Sequence, residues 1–170
     1  MRVNSLATLV LCALIASCRP ATSDIEVEII DTALVNNLAR QADTTVLLSP
    51  GPQEQLLGVV GGYEYRIGGG QKTITLWRDA TGKVLLMTEE ENNRLVDSVA
   101  FYPNGQRIFK LRFNRQGKPD GAARYYYSDG RVREDGRFTN GVRTGVWRQF
   151  NEEGRLQMSR EYDRYGKPSR

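Results

Sequence analysis

The residue types that most often perform chemistry are scarce in this chain of 170 residues. It contains no histidine. That removes the commonest general base, the imidazole metal ligand and every Ser-His or Cys-His nucleophile arrangement. The two cysteines, Cys12 and Cys18, both lie near the start of the chain. Paired carboxylates alone suffice for glycoside hydrolysis, but Glu89-Glu90-Glu91 and Glu152-Glu153 are sequence neighbours and read as solvated charge in turns. Gly68-Gly69-Gly70-Gln71-Lys72-Thr73 approaches a phosphate loop. It fails because Gln71 takes the place of the glycine before the lysine, and a strand rather than a helix follows. No catalytic residue, metal ligand or cofactor is expected, and the chain is expected not to be an enzyme.

Charge is more informative. Residues 101–170 carry 16 Lys plus Arg against 8 Asp plus Glu, whereas residues 18–100 carry 7 against 12. Arginine dominates the basic half, and Arg124, Arg131, Arg133, Arg143 and Arg148 are the candidate anion-binding side chains. Arginines on exposed strands solubilise a sheet and discourage edge pairing. They also attract anions at long range and hold them with forked hydrogen bonds. Tyr125-Tyr126-Tyr127 among arginines would suit stacking on single-stranded nucleic acid, a partner disfavoured by the export signal described next.

Met1-Arg2 supplies one positive charge, and Leu6 to Ile15 is apolar except for Thr8. Ten apolar residues are too few to span a membrane, which takes about 20, so the segment reads as an export signal. Ile15-Ala16-Ser17-Cys18 resembles the lipobox of bacterial lipoproteins. The resemblance implies a signal peptide over 1–17 and lipidation of Cys18. It also implies attachment to a membrane through acyl chains, each buried CH₂ contributing roughly 0.8 kcal/mol. The mature chain then has no cysteine pair to bridge. Arg19 is not the aspartate that retains such proteins at the inner membrane, so an outer-membrane anchor, facing the periplasm or the surface, is slightly preferred. Residues 18–24 read as a tether.

The elements that must present the arginines are written as a repeat. An aromatic, a glycine four residues on and an aromatic eight residues later recur three times. The units are Phe101, Gly105, Phe113; Tyr126, Gly130, Phe138; and Phe150, Gly154, Tyr162. Gly117 to Gly121, Gly141 to Gly145 and Gly166-Lys167-Pro168 link them. Two glycine-marked reversals per unit with an extended run between them describe stacked β-hairpins. Phe109, Leu111 and Phe113 should point one way, and Ile108, Lys110 and Arg112 the other. Rows of Phe113, Phe138 and Tyr162, and of Phe101, Tyr126 and Phe150, are expected as two aromatic ladders.

Phe138-Thr139-Asn140-Gly141-Val142-Arg143-Thr144-Gly145-Val146-Trp147-Arg148-Gln149-Phe150 resembles the repeat phrase of bacterial MORN-repeat-variant proteins. The likeness covers about 65 of the 170 residues. Ala123 departs from it where Trp147 stands in the next copy. Such proteins often carry an antitoxin-like label.

Residues 25–100 read as a less regular α+β portion. Asp24 to Ile29 alternates like a strand. Leu34, Val35, Leu38, Ala39 and Ala42 form one helical stripe over Thr32 to Ala42, capped by Asp31 or Thr32. Strands are expected at Thr45–Leu48, Leu56–Val60, Tyr63–Ile67, Thr73–Trp77 and Val84–Met87. The reversal at Asp79 to Gly82 could belong to a decayed repeat unit.

The expected architecture is therefore mainly β: an antiparallel sheet of stacked MORN-type hairpins over 101–168 behind the N-terminal portion. The expected function is a lipid-anchored envelope protein whose sheet is a non-enzymatic binding or scaffolding surface. Its partner would be a protein or anionic lipid headgroups. The alternative is an antitoxin-type protein that neutralises a toxin.

Overall fold

The computed structural model describes residues 32–56 and 58–169. The export signal, Cys18, the tether and the strand expected at Asp24–Ile29 lie outside them. α1 (Thr32–Gln41) leads into β1 (Thr44–Leu48), a short α2 (Pro52–Leu56), then β2 (Gly61–Ile67), β3 (Lys72–Arg78), β4 (Val84–Glu91) and β5 (Arg94–Phe101). The second half comprises β6 (Arg107–Arg112), β7 (Gly121–Tyr126), β8 (Val132–Thr139), β9 (Val142–Phe150) and β10 (Leu156–Tyr162). All ten strands form one antiparallel sheet in strictly sequential order. The mainly β, antiparallel fold is as expected. The boundary placed between residues 100 and 101 falls inside β5, so the sheet runs through it.

One five-residue turn recurs along one margin of this sheet. Its first residue donates N–H to the fifth residue's carbonyl, and its fourth, a glycine, donates back to the first. It appears at Asp79–Lys83, Tyr102–Gln106, Tyr127–Arg131 and Asn151–Arg155. Asn114–Lys118 and Asp163–Lys167 repeat it on the opposite margin. The glycine sits at φ between 71° and 88°, a conformation that a Cβ makes costly, so glycine there is a backbone requirement. Where the first residue is Asp or Asn, its Oδ1 accepts the N–H of the fifth residue, as at Asp79, Asn114, Asn151 and Asp163. Where it is Tyr, the hydroxyl instead reaches the next copy: Tyr102 Oη donates to Tyr126 O at 3.0 Å and Tyr127 Oη to Phe150 O at 2.8 Å. Asp79–Lys83 thus shows the repeat's turn inside the N-terminal half.

Three local expectations are corrected. Glu89-Glu90-Glu91 lies in β4, not in a turn; the chain reverses at Asn92-Asn93, both at positive φ, and continues as β5. Asparagine tolerates this two-residue turn. Leu56 ends α2 rather than opening a strand, because Pro52 begins a helix readily and Gln53-Glu54-Gln55 continue it. The expected aromatic ladders are also absent. Phe113, Phe138 and Tyr162 belong to the margins of alternate strands β6, β8 and β10, so a full strand separates each from the next. The same holds for Phe101, Tyr126 and Phe150 on β5, β7 and β9. Ring contacts form between neighbouring strands instead, Phe109 with Tyr125 at 5.8 Å and Phe138 with Trp147 at 5.0 Å.

The registers define two faces. Directly paired residues share a face, and Leu47, Tyr63, Leu76, Met87, Val99, Lys110, Arg124, Asp135, Arg148 and Ser159 pair in succession across all ten strands. α1 covers this row at its apolar end, where Leu38 packs on Tyr65, Ile74 and the fully buried Leu76. From β6 to β9 the row is charged. The other face carries Trp77, Leu86, Ala100, Phe109, Tyr125, Glu134, Gln149 and Met158 in the same succession.

Candidate functional site

Where the helix-bearing face leaves α1 behind, an open groove of about 670 Å³ crosses β6 to β9. Its floor is made by residues with little or no side chain, Gly121, Ala122, Ala123 and Gly136. Its walls are cationic: Arg107, Lys110 and Arg112 from β6, Arg124 from β7, Arg137 from β8 and Arg148 from β9. Asp135 is the acid among the lining residues.

Some of these cations are held by carboxylates on the same face. Arg148 makes a two-pronged pair with Asp135, with Nε and Nη2 each 2.9 Å from a carboxylate oxygen. Lys110 Nζ lies 3.2 Å from Asp97 and Arg112 Nε 3.7 Å from it. Arg107 is drawn towards Tyr126; its Nη2 donates to the phenol oxygen at 3.2 Å, and the guanidinium stands 5.1 Å from the ring centre. Arg124 and Arg137 are exposed, and neither forms an ion pair with a described residue. In the groove Arg148 is therefore fixed by Asp135, Lys110 and Arg112 lie within reach of Asp97, and Arg124 and Arg137 are uncommitted.

The five arginines singled out from the sequence do not act together. Arg124 and Arg148 stand in the groove. Arg131 belongs to a turn, where it pairs with Asp129 at 3.2 Å and donates to the Glu152 carbonyl of the next turn. Arg143 crosses to the other face, gripping Glu134 through two hydrogen bonds of 2.7 and 3.1 Å and lying 4.0 Å over the Trp147 ring. Arg133 stacks on Tyr125, also on that face. Burial, with help from the nearby Glu134 charge, raises the Tyr125 hydroxyl pKa above its ordinary value. Arg107, Lys110, Arg112 and Arg137 were not among the candidates. Lys110 and Arg112 had a legible signal, since alternation sets them opposite Phe109 and Leu111. Alternation puts Arg137 on the same face as Asp135, but its place opposite Ala122 is set by the register of β8 on β7.

Trp147 and Gly136 belong to the frame beneath the site. Trp147 is 2 % exposed, donates Nε1–H to Arg137 O at 3.1 Å, and lies so close to Gly136 that a Cβ there would meet its ring at 2.3 Å. Gly62 and Trp77 repeat the arrangement on β2 and β3, with a Cβ at Gly62 meeting that ring at 2.6 Å.

No family model and no curated protein matches the chain. Among solved structures it is similar to the S. aureus TarM G117R mutant in complex with Fondaparinux, alpha-GlcNAc-glycerol and UDP, at 11 % identity and TM-score 0.37 over 67 % of this chain. It is also similar to TarM, at 12 % identity and TM-score 0.36 over 65 %, and to the GtfA/B complex, at 18 % identity and TM-score 0.44 over 73 %. The chain spans about a quarter of the length of the solved chains it matches, 24 %, 24 % and 23 % respectively. These neighbours stand against the expectation of a non-enzymatic scaffold, and an enzyme is no longer set aside. The likeness is one of partial fold.

Proposed function

We propose that the chain holds an anionic substrate in the groove across β6 to β9. The observation that carries this reading is the composition of one sheet face, where six cations wall a floor of glycine and alanine and two central guanidiniums lack carboxylate partners. Such a trench admits a slender anion to backbone depth, where several planar forks can donate to it. Holding a substrate is a role that an enzyme requires, and it is proposed without any exclusion of catalysis. The lipobox resemblance at Cys18 supports an envelope location with the sheet carried on a lipid anchor.

Binding of polyphosphate, followed by calorimetry at low and moderate salt, tests the groove. Arg124→Ala and Arg137→Ala should each weaken binding by about tenfold, or roughly 1.4 kcal/mol. Arg133→Ala, on the opposite face, should leave it unchanged. Equal losses from both faces, or none from either, would remove the groove as the site.

A further inference from the structure

Ala122 stands at the centre of the groove with a single methyl group, and it is exposed. Arg124 follows two residues later on the same face of β7, Arg137 pairs directly opposite Ala122 on β8, and Arg112 comes from β6 on the other side. Three guanidiniums of the groove therefore come from Ala122's own strand and from the strands on either side of it. Their commitments differ from that of Arg148. Arg148 has both prongs on Asp135, whereas Arg124 and Arg137 pair with no described carboxylate. Arg112 stands 3.7 Å from Asp97 Oδ1, an oxygen that is buried and takes no hydrogen bond from any described residue.

Three uncommitted or loosely held like charges around a hollow repel one another unless an anion joins them. The geometry also discriminates between anions. A carboxylate has two coplanar oxygens and saturates on one or two forks. A phosphate monoester or sulfate ester presents three free oxygens in divergent directions, one for each of three forks.

We propose that Ala122 is the seat of a tetrahedral oxyanion with three free oxygens, held by Arg112, Arg124 and Arg137, so that the substrate of the groove carries a phosphate monoester or a sulfate ester. This rests on the reading of the groove as a substrate site. Ala122 supplies the room and the three arginines supply the donors. Arg148, fixed by Asp135, stands beyond the seat and faces the remainder of the molecule.

The experiment compares glucose 6-phosphate, glucose 6-sulfate and glucuronate, which share a sugar and differ in the anion, by calorimetry against the full chain. Either tetrahedral ester should bind about tenfold or more tighter than glucuronate. Ala122→Leu fills the seat without changing any charge, and should cost about tenfold while circular dichroism and the melting temperature stay as in the parent. Arg137→Lys keeps the charge but loses the fork, and should cost about fivefold. The sources separate by pH: a phosphate ester, with its second pKa near 6, should weaken between pH 7.5 and 5, and a sulfate ester should not. Ala122→Leu binding like the parent, or glucuronate matching both esters, would overturn the seat. If that occurs while polyphosphate still depends on Arg124 and Arg137, the groove stands and the seat alone falls.

Discussion

Trp147 lies against Gly136 at a distance that no side chain could share, with three ring atoms between 2.3 and 2.6 Å of where a Cβ would stand. Gly136→Ala must therefore displace an indole that is 2 % exposed and hydrogen-bonded to Arg137 O. Overpacking of this kind costs roughly 1–3 kcal/mol, and Trp147→Ala should cost about 3–5 kcal/mol. Urea unfolding of both variants checks the order, with Trp147→Ala the worse.

Glu134 is nearly buried, and its carboxylate accepts two hydrogen bonds from Arg143 and one from Gln149 Nε2 at 3.2 Å. Replacing Arg143 by alanine strands that carboxylate. Arg143 is itself 35 % exposed, which moderates the loss to about 1–3 kcal/mol. The double variant with Glu134→Gln should recover part of the loss, because the uncompensated charge is gone. A double-mutant cycle by thermal unfolding measures the coupling.

Tyr127→Phe deletes the hydroxyl that bonds Phe150 O in the neighbouring copy of the turn. The expected cost is about 0.5–1.5 kcal/mol. Amide exchange should quicken at the β9–β10 turn more than at β2–β3, because the lost bond joins adjacent copies only.

Asp79 and Asp163 are held below the usual carboxylate range. At Asp79 the Thr81 hydroxyl is the largest cause, and at Asp163 it is the Lys167 backbone N–H. A depressed folded-state pKa means that each carboxylate stabilises the fold above its unfolded pKa, near 3.9, and that this contribution is lost as pH falls through the lower folded value. Asp163→Ala should lower the melting temperature at pH 7, with the gap to the parent closing as acid protonates the carboxylate in the folded state. Asp79→Asn should keep the turn, as asparagine does at 114 and 151, while removing the pH dependence of that turn.

Much of the hairpin order was legible because its cause is local. The glycines at 105, 130 and 154 mark a backbone need, and Phe109, Lys110 and Arg112 divide between faces by alternation alone. What escaped the sequence depends on pairing. Asn92-Asn93 lacks the glycine that announces a two-residue turn, so β5 and the end of β4 were hidden. The aromatic rows were placed by repeat spacing, but a spacing of about two strands sets equivalent residues apart rather than in contact. Arg143 and Arg148, five residues apart on β9, must by parity face opposite ways, which alternation could have shown. The membership of Arg137 required the register of β8 against β7, and no linear pattern supplies it.

Because every strand bonds only the strands immediately before and after it in the sequence, no long loop has to close before a contact can reward the chain. Such a polypeptide can add its strands one after another from β1 as it leaves the ribosome, and its folding rate should respond weakly to added length. Duplicating or excising two strands together would keep each remaining side chain on its own side. Change by an odd strand would exchange the two margins downstream. Widening by pairs is thus the route along which this architecture can grow without losing the trench it carries.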